Sequence, residues 1–127
     1  MNRLLTLLAP LCVLAGCNTV LPPSNAPHGT CSLDLQSEFN HERVIVFADG
    51  FQVFSGHVTT DPVIGVAKHL TIPTRDLQLQ LRIETPASEG IFAENINLRR
   101  GRYLGFSRDY RTRKLTLKQQ ATHFFYD

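Results

Sequence analysis

Leu77-Gln78-Leu79-Gln80-Leu81-Arg82-Ile83-Glu84 sets four apolar side chains against four polar ones in strict alternation. Successive side chains of a β-strand point to opposite faces, so this octet reads as a strand with one face in a core and the other in water. A helix would scatter the same residues around its circumference. Upstream, Arg43-Val44-Ile45-Val46-Phe47-Ala48 and Phe51-Gln52-Val53-Phe54 flank Asp49-Gly50. β-branched and aromatic arms around an Asp-Gly pair predict a hairpin closed by a two-residue turn of type I′, which needs positive φ at both central positions.

The same period runs through the rest of the chain. Cys31, Leu33 and Leu35 alternate with Ser32, Asp34 and Gln36, which predicts a buried thiol behaving as a small hydrophobe; a reactive or intermolecular thiol is the other reading. Gly65 to Ile72 is apolar-rich and closed by Pro73, and Asn95 to Leu98 and Tyr103 to Phe106 flank a turn at Arg99-Arg100-Gly101. Lys114 to Gln119 alternates with Leu115 and Leu117 inward, and Ala121 to Tyr126 is expected to close the chain as an aromatic strand. Eight or nine short strands at spacings of about ten residues, with no long segment of period 3.6, predict an all-β fold, a small antiparallel β-sandwich. By spacing alone it is analogous to immunoglobulin-like or transthyretin-like sandwiches, without a Trp. The longest expected loops, Thr60 to Gly65 and Thr85 to Gly90, are too short for a crossover helix, so a helix-connected parallel sheet is disfavoured.

Length and composition agree. The 127 residues hold one modest domain, and 43% hydrophobic content with a net charge of +2 excludes a disordered chain. At the N-terminus, Arg3 precedes Leu4 to Leu14, 11 residues without a charge, and Ala15 and Gly16 precede Cys17. That is the layout of a secretory signal, shorter than the roughly 20 apolar residues of a membrane span. Leu14-Ala15-Gly16-Cys17 resembles the lipobox of bacterial lipoproteins. The resemblance covers residues 1–17 and implies a diacylglyceryl thioether on Cys17, cleavage before it and acylation of the new N-terminus. Asn18, where Asp would favour inner-membrane retention in that class, implies the outer membrane, with its periplasmic face expected. Cys12 is then lost and Cys17 alkylated, leaving Cys31 without an intrachain disulfide partner. The chain divides into a signal peptide (1–16), a lipidated Cys with a Pro-rich tether (17–30) and a sandwich domain (31–127). At about 3 Å per residue the tether reaches at most roughly 40 Å from the lipid.

Motifs for chemistry are sparse. His28, His41, His57, His69 and His123 are scattered without metal-ligand spacing; His57 and His69, with Asp61, are the one set that strand pairing could bring together. Ser55-Gly56-His57 lacks the flanking glycines of a nucleophile elbow, and no pair among the acids stands out. The expectation is a non-enzyme without cofactor or metal, a hydrolase being the remainder. Charge is the one asymmetric feature: residues 17–98 balance to −5, residues 99–127 to +6. Arg99, Arg100 and Arg102 surround one turn, and Arg108, Arg111, Arg113 and Lys114 the next, forming a basic ribbon that could meet an anionic envelope component or an acidic protein. Export argues against nucleic acid. The competing reading pairs these arginines with the acidic first part of the same sheet. The function expected is a lipid-anchored envelope accessory protein that docks a partner, the alternative being a saccharide-binding module with its ligand at one end of the sandwich.

Overall fold

The computed structural model describes residues 29–126, so the expected signal peptide, the expected lipidation at Cys17 and the expected tether up to His28 lie outside the described residues. Eight strands are formed: β1 (Gly29–Leu35), β2 (Glu42–Ala48), β3 (Phe51–Val58), β4 (Lys68–Thr74), β5 (Gln78–Thr85), β6 (Gly90–Asn97), β7 (Tyr103–Arg108) and β8 (Leu115–Gln120). They make two four-stranded sheets, β4-β1-β7-β8 (sheet one) and β3-β2-β5-β6 (sheet two). The two inner faces enclose the core, and the fold is a small β-sandwich.

Alternation dictates which side chains go inside. Leu79, Leu81 and Ile83 of β5 are at most 1% exposed, and Val44 and Val46 of β2 face them from the neighbouring strand. From sheet one come Cys31, Leu33, Leu35, Ile72, Leu104 and Phe106. Phe106 lies between Phe39 (ring centroids 6.2 Å apart, stacked) and Phe92 (5.4 Å, edge-on), so one aromatic side chain ties both sheets and the β1–β2 loop together. Removing a ring of this kind costs about 3–5 kcal/mol. Burial pushes the Cys31 thiol up to about 11, against a smaller opposing effect of Arg102, so the thiol is a packed hydrophobe.

Several expectations need correction. The β1–β7 pair is parallel, with Leu33 beside Leu104 and Leu35 beside Phe106, although the other five pairings are antiparallel. No crossover helix is needed, because the chain builds all of sheet two between these strands. The first strand starts at Gly29, two residues before the expected domain boundary. Pro73 lies inside β4 rather than ending it; β4 is an edge strand, where a residue without an N–H is tolerated. Leu98–Arg100 is a single 3-10 turn that carries the chain from sheet two to sheet one. Thr85 to Gly90 is a tight hairpin connection, not a long loop.

The expected aromatic strand at Ala121 to Tyr126 does not form. This tail is held over the outer face of sheet one by side chains instead of a backbone ladder. The Tyr126 hydroxyl donates to Asp34 Oδ2 (2.7 Å) and accepts from Gln36 Nε2 (2.8 Å), while His123 stacks on Tyr103. Asp34 and Gln36, polar residues on the outward face of β1, are thereby 5% and 9% exposed. Gly105, beside Asp34 in the parallel register, makes room for this: a Cβ there would stand 2.5 Å from Gln36 Nε2.

The expected turn is present. Ala48 pairs with Phe51, and Asp49 (φ 51°) and Gly50 (φ 86°) both take positive φ. Asp49 Oδ1 also accepts from the Gln80 backbone N–H at 2.9 Å, locking the turn to β5. A side chain at Gly50 meets nothing, so substitution there tests backbone strain alone. Gly50→Val should lower unfolding stability in urea by about 1–3 kcal/mol, and Gly50→Asn by clearly less, because Asn tolerates the left-handed region.

Candidate functional site

The loops gather at the two ends of the sandwich. At the near end, where the chain comes into β1 at Gly29, lie the Asp49-Gly50 turn, the β4–β5 connection through Arg75, and the Leu98–Arg100 turn with Arg102. At the far end lie the β1–β2 loop, the β3–β4 loop, the Pro86–Ser88 turn and the β7–β8 loop. Strand β7 runs between the two ends, about 17 Å apart for six residues. The expected basic ribbon is therefore split: Arg99, Arg100 and Arg102 fall at the near end, and Arg108, Arg111, Arg113 and Lys114 at the far end.

Arg108 leaves the ribbon altogether. It is 4% exposed and forms a two-pronged pair with Glu42 across the gap between the sheets, Nη1 to Oε2 and Nη2 to Oε1 at 2.8 Å. Its Nη2 also donates to Ser88 Oγ (2.9 Å) and Thr85 Oγ1 (3.2 Å), and its guanidinium carbon lies 5.8 Å from the Phe39 ring centre. For this one residue the competing reading holds in part: Arg108 is an internal partner of an early acid, but Glu42 stands on the opposite sheet and not on the same one. The placement was readable. Leu104, Phe106 and Arg108 continue one inward-facing run of period two, as do Glu42, Val44 and Val46, and Leu81, Ile83 and Thr85. Three strands thus each end in a polar residue on the core face, and the three meet.

Above this pair opens a cleft of about 750 Å³, lined by Phe39, His41, Glu42, Thr60, Ser88 and Arg113 among others. Hydrogen bonds tie its walls together. Thr60 Oγ1 donates to the Gln36 carbonyl (2.6 Å) and accepts from Phe39 N–H (3.0 Å), and Thr59 Oγ1 accepts from His41 N–H (2.9 Å). Asp61 Oδ1 caps the β3–β4 loop by accepting from the Val63 and Ile64 N–H groups, which leaves those two apolar side chains exposed at its tip. Asp109 does the same for the β7–β8 loop, accepting from Arg111 N–H (2.9 Å), Thr112 N–H (2.8 Å) and Thr112 Oγ1 (3.1 Å). The hydrogen bonds from Thr112, then that from Arg111, hold the Asp109 carboxyl below its ordinary range. The loop they shape turns Tyr110, Arg111, Arg113 and Lys114 to solvent.

Among the described residues the histidines form no common cluster. His57 stacks on His41, ring centroids 5.1 Å apart, while His69 Nδ1 bonds Asp34 Oδ1 at 2.7 Å, so the pair that the sequence brought together takes separate partners. Asp61 is engaged with its own loop. Among the described residues no three His, Cys, Asp or Glu side chains group as metal ligands. Asp34 is the polar group that sequence reasoning missed. Its carboxylate is closed in by His69, directly opposite on β4, and by Tyr126; burial and then the Asp34 hydrogen bond push the Tyr126 phenol up to about 12. Compared with family models, curated proteins and solved structures, the chain matches none.

Burial alone would raise the Glu42 carboxyl, but hydrogen bonds from Arg108 and Ser88 and the charges of Arg108 and Arg113 outweigh it and hold it below its ordinary 4.5. A carboxyl depressed in the folded state stabilises the fold above its unfolded value and loses that contribution as pH falls through the folded value. Acid titration of stability should therefore have a shallower limb in Glu42→Gln than in the parent, the difference vanishing at the most acid pH. Arg108→Met strands a nearly buried carboxylate and should cost about 3–5 kcal/mol in urea, most of it recovered when Glu42→Leu is added. Tyr126→Phe removes two hydrogen bonds from the tail and should cost about 1–3 kcal/mol by the same measurement.

Proposed function

We propose that this chain is a lipid-anchored accessory protein of the outer membrane, on its periplasmic face, whose sandwich docks an envelope partner through its far end. The observation that carries the reading is the far end itself: Val63 (78% exposed) and Tyr110 (74%) stand on loops pre-shaped by Asp61 and Asp109, beside Arg111, Arg113 and Lys114. Exposed apolar tips bordered by arginines have the composition of a recognition surface rather than of an idle one. Fixed loops lose little entropy on association. An acidic surface with a small apolar pocket is the chemistry that fits. The anchor part of the reading is supported by Leu14-Ala15-Gly16-Cys17, and the chain's arrival at Gly29, at the opposite end of the sandwich, fits a far end that faces away from the lipid.

A saccharide ligand is the second reading, favoured by the polar cleft above Glu42 and Arg108 with His41, Thr59 and Asp61 on its rim. Few exposed aromatic platforms line it, which weakens the case.

Two measurements test the proposal. Intact mass of the membrane-bound protein should show residues 1–16 removed and Cys17 acylated, and Cys17→Ser should abolish the acyl group; an intact Met1 or an unmodified Cys17 overturns the anchor. A photo-crosslinking residue at Tyr110 should give one discrete adduct in living cells, absent from the same residue at Phe51 of the near end and lost when Arg111→Glu and Arg113→Glu are added. Equal crosslinking at both positions, or none at Tyr110, overturns docking at the far end.

A further inference from the structure

The near end carries the other half of the split ribbon, and its placement relative to the tether has a consequence of its own. Arg102 Nη1 donates to the Thr30 carbonyl at 3.0 Å and to Thr74 Oγ1 at 3.3 Å, which fixes its guanidinium at the point where the chain arrives in β1. Arg75 follows Thr74, the residue paired with Gly29, and its guanidinium carbon lies 5.0 Å from the ring centre of Phe51, itself 59% exposed. Arg99 and Arg100 are exposed on the 3-10 turn, whose first N–H is capped by Asn97 Oδ1 at 3.0 Å. Among the described residues none of these four arginines forms an ion pair, whereas Arg82 and Arg108 do. Among the described residues Asp49 and Asp76 lie at this end and accept backbone N–H groups of Gln80 (2.9 Å) and Leu77 (2.6 Å), and Glu94 lines the cleft beside Gly50. The near end is thus a cationic cap with one exposed aromatic ring, built around the attachment point of the tether.

We propose that this cap is a membrane-facing surface, in which Arg75, Arg99, Arg100 and Arg102 bind the phosphates of anionic lipid headgroups. It rests on the lipid-anchor reading for its setting and on residues 29–126 for its parts. Only twelve residues separate Cys17 from Gly29, a contour of at most about 43 Å, so the cap is the end of the domain nearest the anchor along the chain. Each cation held at an anionic surface strengthens attachment by about fivefold, and the attraction extends about 8 Å at physiological ionic strength. Four cations at one end of the domain, none of them in an ion pair among the described residues, orient it on an anionic surface. The cap and the far end then divide the labour: one arginine cluster seats the domain, the other meets the partner.

The test reads each arginine separately. The mature chain, residues 17–127, is coupled through Cys17 to a maleimide lipid in vesicles; Cys31, 2% exposed, does not compete. A water-soluble arginine-specific dicarbonyl is added, and modification is quantified by peptide mass spectrometry. In vesicles of phosphatidylcholine with about one-third phosphatidylglycerol, Arg99 and Arg100 should be modified several-fold more slowly than in pure phosphatidylcholine, with Arg111 and Arg113 unchanged. At about 1 M salt, where screening shortens to about 3 Å, the protection should disappear. In Arg99→Glu with Arg100→Glu, the protection of Arg75 should fall as well. Equal protection at both ends, protection that persists in neutral vesicles, or none at Arg99 and Arg100 overturns the proposal. Because the lipid is attached chemically, these outcomes stand apart from the anchor reading, which the mass of cell-derived Cys17 decides on its own.

Discussion

Strand β1 is hydrogen-bonded along both edges, to β4 on one side and to β7 on the other, and it is the parallel contact with β7 that joins the two halves of sheet one. Leu33 meets Leu104 there, and the backbone bonds Ser32 N–H to the Arg102 carbonyl and Gln36 N–H to the Phe106 carbonyl, both 2.8 Å, set the register. Without this contact, β4–β1 and β7–β8 are separate two-stranded ribbons, which are marginal on their own in water. Sheet two has no such dependence. Its strands β2, β3, β5 and β6 precede β7 in the chain and supply the apolar surface on which β7 is later laid. Non-local pairing of this kind slows folding, because the loop must be closed before its contacts form.

The register of β7 also sets the chemistry at both of its ends. It puts Arg102 against Thr30 and Arg108 against Glu42, so one six-residue strand delivers a cation to the near end and another into the core. The Arg108–Glu42 pair need not add much net stability, since desolvating two charges offsets much of their attraction. What it does is discriminate. A slip of β7 by two residues would bring Phe106 to Glu42 and leave both the carboxylate and its guanidinium partner unsatisfied, a costly arrangement in a closed site. The Asp34–Tyr126 contact plays a comparable part on the outer face, where it pins the tail in place of a ninth strand.

How much of this the sequence discloses follows from the range of the interactions involved. The Asp-Gly hairpin and the alternation of Leu79, Leu81 and Ile83 are local, and the strands and their inward faces can be read directly from them. The inward position of Arg108 is equally legible in the run Leu104, Phe106, Arg108, but the arginines clustered around it make net charge the stronger local signal. Asp34 and Gln36 read as solvent-facing residues because their cover comes from a tail some ninety residues away, held by the Tyr126 hydroxyl and the stacking of His123 on Tyr103. The parallel β1–β7 register and the separation of the cations to two ends are likewise tertiary facts. Charge counts over a stretch of sequence carry no direction; a strand gives them one.

Cys31 has a consequence beyond packing. Its thiol lies in the core with its ionisation pushed well above neutrality, and nucleophilic attack by sulfur requires the thiolate and access to it. The domain holds together by burial and buried polar contacts, without a sulfur cross-link among its described residues. Its folded state is therefore indifferent to the redox potential around it: oxidants find no exposed thiol there, reductants find no bridge to cut, and maturation of residues 29–126 asks nothing of thiol–disulfide exchange.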